Sequence, residues 1–564
     1  MCKPRTLRCA AACLCLHALV AAPAVGAAAP PARDFAVPAP SSELETLRQQ
    51  LAEQQKQIEL LRREIDEQKR TLETIVRLVA AADSVLIPSQ ALQDNRVASL
   101  SPTGLFPVRA AAAPSPARTE PAQPQGAAAP LSFGIGAAQI TPFGWIDLTA
   151  YIRQGNVGSG LGTNFAAVPF SSSVNGNLVE DRLTAQGTRM GFRVDVPIRG
   201  AQVLGYLETD FNGLSPGNAA VTSHANGLRM RLGWVKVAYR RFEILGGQSW
   251  SLLAPNRRGL SPLPADVFTG MTIDPNHHIG LPWGRIPQFR LIYRPAAAVT
   301  VGLSLENPEQ YIGGSAGAGI SILPSQLAPS YAGQLSNGGT TLAAPNPIPD
   351  IIAKAAFDRT AAGRPLHFEV AGLVRKFKVY NPLTDFAHGA AGGGGSANLS
   401  LEPVKNFRVL VNTSCTDGGG RYLFGLGPDL IIRGDGSISL VRAYSTIDGF
   451  EVQAGQQSSV YGYYGGVYFQ KNTAIDPANG KLVGYGFSGS PSSHNRALQQ
   501  ITLGLSHTFW RRPELGGLQL NAQYSYLLRH PWDMPAGQPR SARANVLYLN
   551  LRYLLPGAPP TPAK

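Results

Sequence analysis

The last alternating segment of the chain, residues 545–553, changes strictly between apolar and polar side chains. Leu547, Leu549 and Leu551 fall on one face of this segment, and Tyr548 and Asn550 fall on the other. Side chains of a β-strand point alternately to its two faces, so the segment has one apolar and one polar face. The pattern recurs from residue 141 onwards, and the mature chain has no apolar run long enough for a membrane-spanning helix. With the leader described next, this predicts an all-β transmembrane barrel, apolar outside and polar inside.

The N-terminus has the three parts of a secretory signal peptide. Lys3, Arg5 and Arg8 precede an apolar run over residues 10–20, and small residues follow over 22–29. This order predicts cleavage after a leader of residues 1–28 and export from the cytoplasm. Four of the five cysteines lie in this leader: Cys2, Cys9, Cys13 and Cys15. Only Cys415 remains, which excludes a disulfide framework.

Residues 41–79 carry a heptad pattern whose core positions step by three and four without a break. The apolar seam consists of Leu44, Leu47, Leu51, Ile58, Leu61, Ile65, Leu72, Ile75 and Val79. A single amphipathic helix lying on the barrel would show a similar stripe, but an unbroken seam flanked by Glu, Lys and Arg favours a self-associating coiled coil. Two core glutamines leave the number of helices open.

Residues 80–139 are rich in alanine and proline and predict a flexible linker, because they have too little apolar surface to order themselves. The coiled coil would therefore float in the periplasm beneath a barrel of residues 140–555. Residues 556–564, rich in proline, predict a disordered tail.

About sixteen strands can be placed in the barrel region. They are 142–153, 187–197, 202–212, 228–239, 241–249, 288–294, 298–306, 350–358, 366–378, 396–402, 406–415, 437–445, 450–470, 498–509, 517–528 and 543–553. Gaps after odd-numbered strands are long, and gaps after even-numbered strands are short. Outer-membrane barrels have long outer loops, short periplasmic turns and an even strand number, as this rhythm predicts.

The formal net charge of +14 lies almost entirely in residues 140–564. An exported protein rarely meets nucleic acid, so the positive charge indicates an attraction for small anions. Phasing the strands by their apolar faces predicts where the charges point. Met190, Phe192, Leu207, Met230, Leu232, Trp234, Phe289 and Leu291 are predicted to face lipid. The predicted inward residues are Arg189, Arg193, Asp195, Tyr206, Glu208, Asp210, Arg229, Arg231, Gln288, Arg290 and Arg294.

The loop 250–287 is predicted to fold inward and narrow the pore. Arg257 and Arg258 would form its cationic wall, and Arg285 lies near its end. The arginines either pair with acids such as Glu208 and Asp210 to brace the wall or grip permeating carboxylates; we expect both roles. The adjacent His277 and His278 are interpreted as a solvated loop pair rather than a metal site.

No Walker loop, nucleophile elbow or His-Glu-x-x-His motif occurs, so the sequence predicts no catalytic residues, no cofactor and no metal. The glycine clusters at 158–162 and 392–395 are interpreted as loops. His507 gives only a weak indication of a barrel-embedded lipase, which would need a Ser-His pair near the lipid rim.

Several motifs together resemble the DcaP-like family of trimeric outer-membrane porins. They are the coiled coil, residues 143–147, 188–195, 206–211, 247–250 and 287–290, and the closing residues 548–553. The resemblance covers nearly all of residues 41–555. It implies a homotrimeric channel with a helical periplasmic extension, permeable to small carboxylated solutes. One departure is the proline-rich tail after Tyr553, where many such barrels end on an aromatic residue.

The sequence therefore predicts a non-enzymatic outer-membrane porin that lets small anionic solutes, carboxylates above all, diffuse passively through a basic lumen. Its expected partners are outer-membrane lipid and two copies of itself, without nucleic acid. The alternative is an envelope tether or adhesin, in which the coiled coil holds peptidoglycan or a periplasmic partner and the barrel is mainly an anchor.

Overall fold

The computed structural model describes residue 59, which is helical, and residues 131–213, 226–337 and 346–556. The predicted signal peptide, all but one residue of the coiled coil, most of the linker and nearly all of the tail lie outside the described residues. Within them the chain forms a closed antiparallel β-barrel of sixteen strands. The barrel predicted from the alternating pattern is confirmed.

The strands in chain order are β1 (Phe133–Ile135), β2 (Ala138–Arg153), β3 (Glu180–Thr184), β4 (Arg189–Ile198), β5 (Ala201–Asp210), β6 (Arg229–Tyr239), β7 (Phe242–Trp250), β8 (Arg285–Ala296), β9 (Val299–Glu306), β10 (Asp350–Ala361) and β11 (Arg364–Asn381). They continue with β12 (Phe386–Val404), β13 (Phe407–Asp417), β14 (Leu430–Ile432), β15 (Ile438–Leu440), β16 (Arg442–Ala454), β17 (Ser458–Phe469), β18 (Asn472–Ile475), β19 (Leu482–Tyr485), β20 (Asn495–Arg512), β21 (Gly516–Pro531) and β22 (Ala542–Leu554). One short helix, α1 (Ala328–Tyr331), lies in a loop.

Sixteen barrel strands result because β3 and β4 together pair with β2 as one interrupted strand. The pairs β14–β15 and β18–β19 are separate hairpins in loops, and β1 folds back on the start of β2. Pairing of β22 with β2, from Leu554 opposite Trp145 to Val546 opposite Arg153, closes the barrel. Closure joins the first and last strands of the wall, so that neither is a free edge strand, as a membrane requires of a β-structure.

The two ends of the barrel differ in their connections. At one end, which we call the turn end, successive strands are joined by turns of two or three residues. In two of them both turn residues have positive φ, as at Arg199 (44°) and Gly200 (84°). Such turns match the twist of the flanking strands. The opposite end, the loop end, carries the long connections, among them L1 (154–179) and L3 (251–284).

Alternation along the strands separates the two surfaces of the wall as predicted. In β22 the outward Leu547, Leu549 and Leu551 are 50%, 51% and 44% exposed, whereas Tyr548 and Asn550 are buried inside. Among the described residues, no helix is both long and apolar enough to cross a membrane.

The predicted strand 396–402 was too short, and the interpretation of Gly392–Gly395 as a loop was wrong. These glycines lie within β12, where all four pair with β11 and Gly393 to Gly395 also pair with β13. Only four residues, 382–385, join β11 to β12, so the predicted long gap is absent here. The outward positions of β12 are largely Gly and Ala. Because these residues are small, the alternation of large apolar and polar side chains that marks a strand is missing. Glycine also permits close packing: a Cβ on Gly394 would lie 2.2 Å from the carbonyl oxygen of Cys415.

The predicted boundary between strands 437–445 and 450–470 was also wrong. The structure has β16 and β17 on either side of a turn at 455–457, and part of the first predicted strand belongs to the small hairpin strand β15. Gln456 and Gln457, which lie inside the predicted strand 450–470, belong to this turn.

A β-bulge in β6 reverses the predicted phase of that strand. Glu208 of β5 lies opposite Leu232 and Thr209 lies opposite Met230, so Arg231 is the extra residue. A bulge shifts every later side chain to the other face. Leu232 and Trp234, predicted to face lipid, are therefore buried inside the barrel.

Candidate pore constriction

L3 leaves the wall after Trp250, returns at Arg285 and lies inside the barrel. Its backbone N–H groups donate to inward side chains of strands on several sides of the lumen. These bonds are Leu252 to Glu306 (2.7 Å), Met271 to Tyr463 (3.2 Å), Ile273 to Gln523 (2.7 Å) and Ile279 to Gln500 (3.0 Å). The acceptors belong to β9, β17, β21 and β20. The loop therefore spans the lumen, in the inward-folded position that the sequence predicted.

A buried ion pair fixes the first part of L3 to β10 and β11. Lys354 Nζ lies 2.7 Å from Glu369 Oε1 and donates to the carbonyl oxygen of Ala254 at 2.8 Å. Glu369 Oε1 also accepts from the backbone N–H of Asn256 at 3.0 Å. Both charged side chains are almost fully buried, so each depends on the other and on the loop for its hydrogen bonds.

Arg257 is bound across the lumen rather than free. Its two terminal nitrogens donate to the two carboxylate oxygens of Glu451 on β16, each at 2.7 Å. The carboxylate holds the pKa of Arg257 above its usual value despite burial. Its neighbour Arg258 is exposed, and within the described residues it has no ion-pair partner. Of the two arginines predicted to form the cationic wall, Arg257 is held in an ion pair and Arg258 is exposed to solvent.

L1 is joined to L3 through Asp274. This buried carboxylate accepts hydrogen bonds from the backbone N–H of Thr163 (3.1 and 3.2 Å) and from Tyr548 Oη (3.0 Å). Burial raises the pKa of Asp274, while Thr163 and Arg153 act against the rise. Two loops of the loop end are thereby held against β22.

The interpretation of His277 and His278 as a solvated pair was wrong, because both rings are buried, although they belong to a loop. Burial lowers the pKa of His278 to about 4. The pKa of His277 lies well below its usual value, because the ring is buried and because Arg231, Arg285 and Arg189 are nearby. Both rings are therefore neutral at pH 7. No group of three or more potential metal ligands exists in the described part of the chain.

Next to the base of L3, arginines and carboxylates from neighbouring strands form one cluster. Arg231 donates to Glu208 Oε1 (2.6 Å) and Asp210 Oδ2 (2.8 Å), and Arg229 donates to both oxygens of Asp210 (3.0 and 2.8 Å). Arg189 lies 3.4 Å from Glu208. Three arginines thus share two carboxylates.

Arg285, at the start of β8, completes this cluster without a carboxylate of its own. Arg231, Arg229 and Arg189 act on it electrostatically, and its guanidinium carbon lies 5.8 Å from the ring centre of Trp250 and 5.4 Å from that of Trp283. In the part of the chain that the structure describes, Arg285 has no hydrogen-bond or ion-pair partner. We call Arg189, Arg229, Arg231 and Arg285, with Glu208 and Asp210, the arginine arc.

The remaining predicted arginines lie elsewhere on the inner wall. Towards the turn end, Arg193 forms a two-bond pair with Asp195 (2.7 and 2.9 Å), and Arg294 is hydrogen-bonded to Glu243. Arg290 is buried at the foot of L3, where it donates to the carbonyl oxygen of Trp250 at 2.5 Å and to Gln288. These three side chains are structural braces.

Sequence reasoning missed the partners that L3 and the arc depend on. Lys354, Glu369 and Glu451 occupy polar positions on alternating strands, and no local signal distinguishes them from solvated charges. Trp250 and Trp283 flank the predicted loop, and the position of Trp283 two residues before Arg285 was the available signal. Arg552, which binds Asp147 at 2.8 Å, lies within the quoted closing motif.

His507, the residue that weakly indicated a lipase, has a serine partner, but the pair does not have the geometry of a catalytic site. Ser458 Oγ lies 2.9 Å from His507 Nδ1 across β17 and β20. Among the described residues, no carboxylate or amide orients the second ring nitrogen of this histidine. The pair is an ordinary cross-strand polar contact near the turn end.

A sixteen-stranded antiparallel barrel with a long inward third loop defines the general-porin type of fold. No protein-family model matches the chain, and no curated protein sequence matches it. The structure is similar to that of the outer membrane channel DcaP of Acinetobacter baumannii, with a TM-score of 0.54 and 20% identity over 75% of this chain and 99% of that one. It also aligns with an anion-selective porin from Comamonas acidovorans (TM-score 0.41, 13% identity, 74% of this chain and 100% of the other) and with OmpT of Vibrio cholerae (0.38, 10%, 75% and 100%). The predicted resemblance to DcaP-like porins is confirmed at the level of the fold.

Proposed function

We propose that the protein is an outer-membrane channel for passive diffusion of small hydrophilic anions, with carboxylates as its main solutes. The turn end, where β2 begins and β22 ends, faces the periplasm, and the loop end faces the exterior. Outward aliphatic side chains on most barrel strands support the membrane location, and the likeness to the DcaP channel supports the channel role.

The arginine arc is the observation that carries the anion preference. Four arginines face two carboxylates there, which leaves a local surplus of two positive charges beside the base of L3. Fixed charges at a constriction select ions of the opposite sign because little bulk water screens them. Exposed Arg258 adds to this field, and L3 forms the constriction, with Arg257 as its brace.

Reconstitution in planar bilayers tests the proposal. Under a KCl gradient we expect stepwise conductance and a reversal potential that indicates chloride preference over potassium. Liposome swelling should be faster with mono- and dicarboxylates than with neutral sugars of similar size. Cation preference would overturn the anion assignment and leave the barrel intact; absence of any conductance would overturn the channel role.

We further propose that the barrel is a homotrimer whose copies meet on the outward face of β12, β13 and β16. Asp448 lies on this face, opposite the outward Val411 and Tyr464, and an acidic side chain is poorly placed against acyl chains. The outward positions of β12 are small, which allows close approach of another copy. Cys415 is exposed on the same face, so a maleimide should label it slowly in the native assembly and rapidly after dissociation.

An envelope tether stays the second candidate because the predicted coiled coil and linker would suit it. Deleting residues 41–79 separates the two. A channel should still conduct after the deletion, whereas a tether should lose its attachment to the envelope.

A further inference from the structure

At the loop end of β20 and β22, the outward face of the barrel changes from apolar to basic within a few residues. On β22 the outward positions run from Leu547, which is 50% exposed, through Asn545 to the exposed Arg543. On β20 they begin at the exposed Arg496 and reach Ile501, which is 49% exposed. The outward face of an outer-membrane barrel is apolar only within the hydrocarbon layer. The basic residues therefore lie at the level of the lipid headgroups.

A β-bulge directs Arg496 to this level. The pairing of β20 with β21 shifts between Asn495 and Ala497, so Arg496 is the extra residue. Asn495 is buried inside the barrel, whereas Ala497 lies opposite Tyr468, whose side chain is 38% exposed on the outward face. A bulge re-aims a side chain, and here the exposed arginine lies beside the outward tyrosine rather than in the lumen.

Trp532 holds two cations close together at the same place. Its Nε1 donates to the carbonyl oxygen of Phe469 at 3.1 Å, and its ring centre lies 6.0 Å from that of Tyr468, so the position of the indole is fixed. Lys471 Nζ and the guanidinium carbon of Arg496 each lie 6.0 Å from the centre of the indole ring. Because both cations lie beside one ring, a single anionic group can contact both of them.

These cations are not neutralised within the described part of the chain. Lys471, Arg496 and Arg543 are exposed, and none of them forms an ion pair or a side-chain hydrogen bond there. Asp533 follows the tryptophan, but its carboxylate accepts a hydrogen bond from the backbone N–H of Gly489 at 2.7 Å and forms no ion pair with a described residue. Neighbouring positive charges repel one another, so the group is stabilised by an external anion. We call Lys471, Arg496, Arg543 and Trp532 the outer basic patch.

The position and the charge of the patch together select its ligand. Exposed lysine and arginine side chains next to outward aliphatic residues bind a molecule whose anionic head adjoins acyl chains. Tryptophan is typical of this level because its ring is amphipathic. The glycolipid of an outer leaflet, lipopolysaccharide, has phosphate groups directly above its acyl chains, and phosphate oxygens accept charge-assisted hydrogen bonds from arginine and lysine.

We propose that the outer basic patch binds the phosphate groups of lipopolysaccharide. One phosphate lies between Lys471 and Arg496 over the indole, a second lies near Arg543, and the acyl chains lie against outward residues such as Leu547. The patch is separate from the face of β12, β13 and β16 proposed for the trimer. The proposal rests on the membrane location and orientation given under the proposed function, and it adds a lipid partner for the outward face.

Binding of purified lipopolysaccharide to the full-length protein in non-ionic detergent, measured by microscale thermophoresis, tests the patch. Binding should be saturable, should weaken as salt is added and should weaken again when the phosphates are removed enzymatically. The double variant Lys471→Gln with Arg496→Gln should bind about tenfold more weakly or worse, because each cation beside an anionic lipid surface contributes separately to the affinity.

The matched control is Arg240→Gln with Arg359→Gln. These arginines are exposed at the turn end, and Arg240 lies over the ring of Tyr239, so the control removes the same charge from a similar setting at the other end of the barrel. It should leave the affinity unchanged. Heat-modifiable migration on gels verifies that both double variants are folded.

The outcomes separate the patch from the channel. Equal affinity in the two double variants, or equal affinity for intact and dephosphorylated lipopolysaccharide, overturns the patch. A protein that conducts in planar bilayers and does not bind lipopolysaccharide also overturns the patch and leaves the proposed function standing. A protein that binds through Lys471 and Arg496 but does not conduct supports the patch and overturns the channel.

Discussion

Two parts of the inner wall bury their polar groups differently. The wall of β4 to β8, which carries the arginine arc, does so with charges: Arg231 is 1% exposed and is held by Glu208 and Asp210. The wall of β20 to β22 buries neutral polar groups at the middle of its strands. We call these the charged wall and the neutral wall. The neutral wall is formed by Gln500, Thr502, Ser506, Asn521, Gln523, Ser525 and Asn550.

On the neutral wall, most hydroxyl and amide groups are hydrogen-bonded to one another, and two of the amide oxygens accept hydrogen bonds from L3. Thr502 bonds Ser525 at 2.8 Å and Asn521 donates to Asn550 at 2.8 Å, while Gln500 and Gln523 accept from the loop backbone. The charged wall has more donors than acceptors. We infer that the neutral wall holds L3 in place and that the charged wall determines the electrostatic field beside it.

The largest expected effect is the loss of a carboxylate from the charged wall. Asp210→Asn leaves Arg229 and Arg231 without their shared anion, and breaking such a buried pair costs about 3–5 kcal/mol of folding free energy. Thr502→Val on the neutral wall should cost only about 1 kcal/mol, since it removes one neutral hydrogen bond. Urea unfolding in lipid vesicles compares the two, and equal losses would contradict the distinction between the walls.

Of the two walls, only the charged wall should affect ion selectivity. Replacing Arg229 and Arg285 together by glutamine removes the surplus charge, and each charge is worth about 1 kcal/mol, or roughly fivefold, near a water-filled path. The chloride preference measured from reversal potentials should therefore fall severalfold or vanish. Thr502→Val should leave it unchanged. An undiminished preference in the double variant would place the selecting charges outside the arc.

Acidification should weaken the neutral side of the constriction first. His278 lies beside Tyr463 and next to Ile279, which bonds Gln500. Burial depresses its folded-state pKa to about 4, below the unfolded value near 6.5. Above pH 6.5 the ring is neutral in both states and its stabilising contribution is complete. As the pH falls from 6.5 towards 4, the unfolded state binds the proton more strongly and stability is lost.

Unfolding free energy measured between pH 7 and 4 should accordingly decline by up to a few kcal/mol, and current through the channel should fluctuate more at the acidic end. His278→Gln should flatten this dependence, although it lowers stability at pH 7. His277→Gln should flatten the dependence as well, because burial and the neighbouring arginines keep this ring neutral in the folded state over the same pH range. A pH profile unaltered by His278→Gln would exclude this residue as the source.

The barrel could be predicted from sequence because period-two alternation is a local signal wherever outward residues are large. Leu547 to Leu551 and Met190 to Phe192 show it directly. It failed at Gly392–Gly395, where the outward residues are too small to mark a face, and at Arg231, where a single bulged residue reversed the phase. A bulge depends on pairing with another strand, which a single segment does not reveal.

The residues of the candidate site could be predicted from the sequence, but the ion pairs among them could not. Arg189, Glu208, Asp210, Arg229 and Arg231 could be placed inside from phase alone. Glu451 neutralises Arg257, whereas Arg285 has no carboxylate partner among the described residues, and this difference depends on strands far apart in the chain. Pairing decides which arginines are braces and which are open to solutes, so the functional distinction requires the three-dimensional structure.

The smallest effect should come from Arg258, the exposed arginine of L3. Its loss in Arg258→Gln should change folding free energy by no more than about 0.5 kcal/mol, as is usual for exposed positions. Water and salt screen exposed charges over about 8 Å at physiological ionic strength, so chloride preference should fall less than twofold. Reversal potentials at low and high salt measure it, and the effect should shrink as salt rises. If Arg258→Gln reduced the preference as much as Arg285→Gln does, the constriction loop rather than the charged wall would dominate the field, because an exposed residue has such influence only where the open passage is narrowest.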